Sequence, residues 1–165
     1  MTSKQPAISI TRRLEFDSGH RIPNHDGQCK HLHGHRYAIE VTLTGEVADH
    51  PGKADDGMVL DFGDIKRLTN QYIVDLWDHA FLVAKEDESV VAFLATLPNH
   101  KTVVMEHVPT VENLANTATL GGQAVIGAMR EGRNNARLGA ARMYNTTQVP
   151  SNPPVDPIPV ILPTT

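Results

Sequence analysis

Three histidines and one cysteine in the first quarter of the sequence are the residues best suited to chemistry. His33 and His35 stand two apart in the segment CKHLHGH over 29–35, and side chains two apart on an extended strand leave the same face. His20 ends an earlier alternating segment. Three neutral imidazoles fill three corners of a tetrahedron and leave the fourth open, as in catalytic zinc sites. We therefore predict a Zn²⁺ site at these histidines, the alternative being surface histidines of a polar loop.

Cys29 is the single cysteine of the chain, and three roles are open to it. As a fourth metal ligand it would close the site and leave no position for substrate. Buried core cysteines usually lie in apolar runs, whereas Cys29 lies between Gln28 and Lys30. A nearby cation would lower the pKa of the thiol and favour the thiolate. We therefore favour a catalytic base or nucleophile.

The dipeptide Asp78-His79 is a second candidate for proton transfer. A carboxylate that orients an imidazole makes a proton shuttle. The alternative is a histidine at the C-terminal end of a helix, where the helix dipole favours its charge. The dipeptide by itself favours the alternative.

The composition indicates a single globular domain. The chain has 165 residues, 40% hydrophobic and 21% charged, enough to form a core. Its net charge of −4 argues against a nucleic-acid surface, and no apolar stretch is long enough to cross a membrane. One cysteine allows no internal disulfide. We expect a cytoplasmic protein without nucleic-acid or membrane partners.

The hydrophobic pattern predicts an α+β domain over residues 1–147. Alternating residues predict strands, and apolar residues at helical spacing predict helices; Thr110 is a good helix N-cap. The expected fold is an antiparallel four-stranded sheet with the helices on one face. Residues 148–165 are proline-rich and should form an extended tail, either disordered or lying on a neighbouring subunit. The predicted strands are 7–19, 35–47, 101–108 and 136–147, and the predicted helices are 63–77, 89–97 and 110 to about 130.

Five motifs in order resemble the 6-pyruvoyltetrahydropterin synthase / 6-carboxytetrahydropterin synthase family. They cover roughly residues 8–147, and five ordered motifs are more specific than any one of them. The motifs are His20, Cys29-x-x-x-His33-Gly34-His35, Met58-Val59-Leu60-Asp61-Phe62, Asp78-His79-x-x-Leu82 and Pro109-Thr110-x-Glu112-Asn113.

The resemblance implies the tunnelling fold, in which small subunits form barrel-like rings, usually homohexamers, with active sites between subunits. It implies that His20, His33 and His35 bind zinc. Cys29 would then be the catalytic base, and Asp78 with His79 an acid/base pair from a neighbouring subunit. Glu112 and Thr110 would belong to the substrate-binding segment.

The substrate class implied by the resemblance is 7,8-dihydroneopterin triphosphate. The expected activity is a zinc-dependent lyase that gives 6-carboxy-5,6,7,8-tetrahydropterin with release of acetaldehyde and triphosphate, a step of queuosine (7-deazaguanine) biosynthesis. The alternatives are 6-pyruvoyltetrahydropterin synthase and a zinc-containing homologue that binds a pterin or purine with altered or no turnover. The last alternative arises because Asn145 stands where the family has the glutamate that anchors the pterin.

Overall fold

The computed structural model describes residues 6–119 and 137–146. In this part of the chain, five strands form one sheet in the order β4-β3-β1-β2-β5. β1–β2 and β2–β5 are antiparallel pairs, whereas β1–β3 and β3–β4 are parallel. The strands are β1 (Ile8–His20), β2 (His33–Gly45), β3 (Phe81–Ala84), β4 (Thr102–Met105) and β5 (Arg137–Asn145).

Helices separate the later strands. The helix predicted over 63–77 is confirmed as one continuous helical stretch that includes a wider π-helical turn at Asn70–Val74. Asp61 caps its start, because the Asp61 carboxylate accepts a hydrogen bond from the Gly63 amide. The elements are α1 (Phe62–Thr69), α2 (Asp75–Trp77), α3 (Glu88–Ala95) and α4, whose described part covers 111–119. No helix among the described residues is long and apolar enough to cross a membrane.

The long β1–β2 pair forms the frame of the sheet. Its register is unbroken from Ile8 opposite Gly45 to His20 opposite His33. Near its end Gly19 lies opposite Gly34. A β-carbon on Gly19 would lie 2.6 Å from Cδ2 of Phe81, so the glycine is what lets β3 pack against β1 here.

Two apolar clusters lie on opposite faces of the sheet. The larger one joins β1 and β2 to α1 and α4 through buried side chains such as Phe16, Ile65 and Leu114, and it includes Leu82 of β3. The smaller one joins Val83 to α3. Because successive residues of a strand point to opposite faces, α3 covers the face opposite to α1.

Two predictions about the sheet are therefore wrong. It is a five-stranded mixed sheet in the described residues, not an antiparallel four-stranded one, and its helices do not all lie on one face. The missed strand is β3, whose central residues Leu82 and Val83 are both buried. A short parallel strand buried on both faces has an apolar run instead of an alternation, and the sequence pattern gave no period to detect.

The other predicted elements agree with the structure to within a few residues at their ends. Thr110 caps α4 as predicted, since its hydroxyl accepts a hydrogen bond from the Asn113 amide at 3.3 Å. The rest of the predicted helix to about residue 130 and the tail 148–165 lie outside the described residues.

Candidate metal centre and active site

His20, His33 and His35 come together at one end of the β1–β2 pair. Their nitrogen ligand atoms all lie within 4.8 Å of one another, and Nε2 of His20 is 3.1 Å from Nε2 of His33. A tetrahedral zinc with Zn–N distances of about 2.0–2.1 Å separates two ligand nitrogens by about 3.3 Å. The three side chains therefore have the spacing of one metal site, and the sheet register produces it.

Backbone carbonyls fix the orientation of two of these rings. Nδ1 of His20 is 2.7 Å from the Pro109 carbonyl oxygen, and Nδ1 of His33 is 2.7 Å from the His31 carbonyl oxygen. A carbonyl only accepts, so both Nδ1 atoms must carry the proton. In the neutral rings both Nε2 atoms then present lone pairs to each other. Two acceptors so close are unfavourable without a cation beside them, and Nδ1 contacts of this kind typify metal-bound histidines.

Burial favours the neutral form of His20 and His35. It lowers the pKa of His20 to about 4; the Pro109 carbonyl opposes this shift, while positive charge on His33 and His35 adds to it. The pKa of His35 is also lowered, first by burial and then by His33. A neutral imidazole is the form that binds a metal, so the donor set fits a divalent ion such as Zn²⁺.

Tyr37 packs against two of the histidines and is affected electrostatically by Cys29. Its ring centroid lies 6.0 Å from that of His20 and 5.9 Å from that of His35. Burial raises the pKa of Tyr37, and the charge of Cys29 raises it further. Cys29 itself lies half-buried in a short 3₁₀ turn, Gln28–Lys30, and is not one of the three clustered ligands. The thiol is thus close enough to Tyr37 to affect it electrostatically, and it does not belong to the ligand cluster.

Asp78 and His79 form a contact pair beside the end of β1. Nδ1 of His79 is 2.9 Å from the Asp78 carboxylate, which also accepts a hydrogen bond from the Asp17 amide at 3.0 Å. Burial alone would raise the pKa of Asp78, but the Asp17 amide and the His79 ring outweigh it, so this pKa lies below its ordinary value. His79 is highly exposed and has a φ of +57°, a backbone strain of the kind that clusters at functional sites.

Asp78 and His79 lie beside Asp17, whose side chain leaves the face of the sheet opposite to the three histidines. His79 borders an open depression of about 700 Å³ whose lining also includes Asp17, Arg36 and His35. Asp17 and Arg36 lie side by side there. These two side chains are joined by two hydrogen bonds, of 3.2 and 3.0 Å. They alternate along their strands with the residues that face the metal site. Asp78 and His79 therefore stand outside the histidine cluster, although His35 borders the same depression as His79.

The remaining predicted site residues are Thr110, Glu112 and Asn145. Thr110 and Glu112 follow Pro109, whose carbonyl contacts His20, so the start of α4 lies next to the cluster. The Glu112 side chain is exposed. In β5 the backbone of Asn145 lies opposite Tyr37, two residues from His35.

Several features of the site were not found from the sequence. The carbonyls of Pro109 and His31 act through the backbone, and no residue type at those positions signals it. Tyr37 carried a weak signal, since it belongs to the same alternating strand as His33 and His35. The ion pair between Arg21 and Asp87 joins residues far apart in the chain, and no local pattern reveals such a pair.

Curated relatives match about two thirds of the chain. A protein of Rickettsia conorii named 6-carboxy-5,6,7,8-tetrahydropterin synthase is 38% identical over 108 residues, which are 66% of this chain and 75% of that protein. A protein of Haemophilus influenzae with the same name is 36% identical over 110 residues, 66% of this chain and 77% of that one.

Solved structures share the fold at low sequence identity. An uncharacterized protein from Wolinella succinogenes superimposes with a TM-score of 0.65 at 18% identity, covering 88% of this chain and 96% of that one. The 6-pyruvoyl tetrahydropterin synthase of Plasmodium falciparum gives a TM-score of 0.57 at 14% identity, covering 84% and 98%. The model of the family described as 6-pyruvoyl tetrahydropterin synthase matches residues 9–138. The chain therefore belongs to the 6-pyruvoyl tetrahydropterin synthase family.

Proposed function

We propose that this chain is a zinc-dependent lyase acting on 7,8-dihydroneopterin triphosphate, with 6-carboxy-5,6,7,8-tetrahydropterin, acetaldehyde and triphosphate as products. The observation that carries the proposal is the cluster of His20, His33 and His35, whose oriented rings leave two acceptors facing each other. The name of relatives at 36–38% identity supports the product. The reaction would belong to queuosine biosynthesis.

Each group has a distinct part in this proposal. A zinc ion at the three histidines would supply a Lewis acid for the hydroxyls of the substrate side chain. Cys29, as the thiolate, would remove a proton from that side chain. Asp78 would orient His79, which would return a proton on the other side of the substrate. Glu112 and Thr110 would line the substrate pocket.

A complete site would then need a second subunit. Asp78 contacts the Asp17 amide, and His79 borders one depression with Asp17, Arg36 and His35. The side chains of Asp17 and Arg36 leave the sheet on the face opposite to the three histidines. In the described residues β4 and β5 are the edges of an open sheet, and open edges favour pairing with another chain. We propose a homohexameric ring in which a neighbour supplies the pair.

The second candidate is a homologue with an altered substrate. Its supporting observation is Asn145, which stands in β5 opposite Tyr37, where the family's pterin-anchoring glutamate is expected. An amide offers one acceptor and one donor, whereas a carboxylate accepts from both donors on the pterin edge. A purine in place of the pterin, or binding without turnover, would be an outcome of this kind, whereas 6-pyruvoyltetrahydropterin synthase is a separate alternative that uses the same substrate.

The zinc assignment predicts a loss of metal when one ligand is removed. His33→Ala should lower the zinc content from about one per chain to a small fraction of that, because two imidazoles hold zinc poorly. His50→Ala is the matched control, since His50 pairs with Asp55 in a distant exposed loop. Elemental analysis after dialysis measures both. Full zinc content in His33→Ala would mean that the ligand assignment is wrong.

The catalytic assignment predicts that zinc and turnover separate in Cys29→Ala. This variant should keep its zinc and lose turnover by about 10²-fold or more, the usual contribution of a positioned proton-transfer group. The assay follows acetaldehyde and triphosphate released from 7,8-dihydroneopterin triphosphate by the zinc-loaded protein. If zinc is lost as well, Cys29 is a ligand. If the unmodified protein releases neither product, the proposed lyase activity fails.

The shared site predicts an assembly of several subunits. Sedimentation velocity of the purified protein at micromolar concentration should give a particle of several chains, with six as the expected number, because a ring closes the open sheet edges. Turnover should fall on dilution along with the assembly. A stable, active monomer would contradict both the ring and the shared site.

The anchor assignment predicts tighter pterin binding when a carboxylate replaces Asn145. Asn145→Glu should bind 7,8-dihydroneopterin triphosphate about tenfold or more tightly, because it replaces a mismatched donor with a charged acceptor. Asn145→Gln is the control: glutamine has the size of glutamate but no charge, so this variant should not bind the substrate more tightly. Calorimetric titration compares the three proteins, and equal affinities would show that this position is not the anchor.

A further inference from the structure

A partly buried ion pair involves Arg21, the residue directly after His20. Nε and Nη2 of Arg21 lie 2.5 and 2.7 Å from the two carboxylate oxygens of Asp87. The side chains are 26% and 3% exposed, so this pair is much less solvent-accessible than a surface ion pair. The Arg21 contact lowers the pKa of Asp87, and burial opposes this only in part. Arg21 follows β1 and Asp87 precedes α3, so the pair ties the end of β1 to the start of α3.

The sheet already holds the metal ligands without this pair. His20 and His33 are opposite each other in the β1–β2 register, and their Nδ1 atoms are held by backbone carbonyls. Cys29 is not part of the strand pairing, because its short turn lies in the connection between the two strands. The position of the thiol relative to the metal therefore depends on how this connection is held.

A hydrogen bond from Ile22, the second residue of this connection, closes the loop on itself. The Ile22 amide donates to the Cys29 carbonyl at 2.7 Å, and the His25 amide donates to the Ile22 carbonyl at 3.1 Å. A shift of residue 22 thus moves Cys29 with it. The neighbouring residue, Arg21, is the one fastened to Asp87.

We propose that the Arg21–Asp87 ion pair is a positioning device that holds Cys29 beside the metal centre. The pair fixes Arg21, where the connection from β1 to β2 begins. The hydrogen bond from the Ile22 amide to the Cys29 carbonyl then fixes the backbone of Cys29, and with it the thiol. Arginine suits this role because its planar fork binds both carboxylate oxygens, which the single ammonium of lysine does not reproduce. The catalytic part of this inference rests on the proposed function; the placement of Cys29 does not.

Two conservative variants test the device. Arg21→Lys keeps the charge and loses the fork, and Asp87→Asn keeps the size and loses the charge. In both, we expect zinc content to stay unchanged and iodoacetamide to alkylate Cys29 about fivefold faster or more, because the loop opens more often. Turnover should fall about tenfold or more at similar KM, since small displacements of a reacting group are costly.

The single cysteine makes the alkylation rate specific to this site, and mass spectrometry measures it. Arg67→Lys is the control, because the Arg67–Asp64 pair is also made by an arginine but is exposed on α1; it should change neither rate. Unchanged alkylation in both variants would overturn the proposal. Loss of zinc in step with faster alkylation would overturn it too, because the pair would then support the ligands. If the unmodified protein has no turnover, alkylation and zinc content still decide the matter.

Discussion

The antiparallel pairing of β1 with β2 is the interaction on which the rest of the structure depends. Its register sets His20 opposite His33, and the alternation of the strand adds His35 on the same face. The same two strands supply Phe16 and Tyr37 to the main apolar cluster. A shift by one residue would turn the ligands away from one another and the core residues out of the core. Core packing therefore enforces the geometry of the metal centre.

The parts of this molecule that depend on local sequence could be predicted. Strand alternation placed His20, His33 and His35 together, and the Thr110 cap located the start of α4. Strand β3 was missed because Leu82 and Val83 are buried on both faces, which removes the period that reveals a strand. The position of α3 on the opposite face was missed for the same reason. The carbonyls that orient the rings could not be predicted, since any residue type supplies a carbonyl.

The separation between the metal ligands and the acid/base pair has a physical origin. Asp78 and His79 lie on the connection from α2 into β3, on the far side of β1 from β2. Side chains that leave opposite faces of a sheet point away from each other. In our proposal, a second copy of the chain brings both sets of groups to one substrate. Assembly and chemistry are then linked in our proposal.

The order of the strands also separates the metal centre from the position expected to recognise the substrate. The metal ligands come from β1 and β2, which are flanked on both sides, whereas Asn145 belongs to β5 at an edge of the described sheet. A substitution in an edge strand disturbs fewer neighbours than one in a central strand. In our proposal, a change at residue 145 would therefore alter substrate recognition and leave the two strands that hold the histidines undisturbed. New substrate preferences would then arise at the edge of the sheet without loss of the histidine cluster.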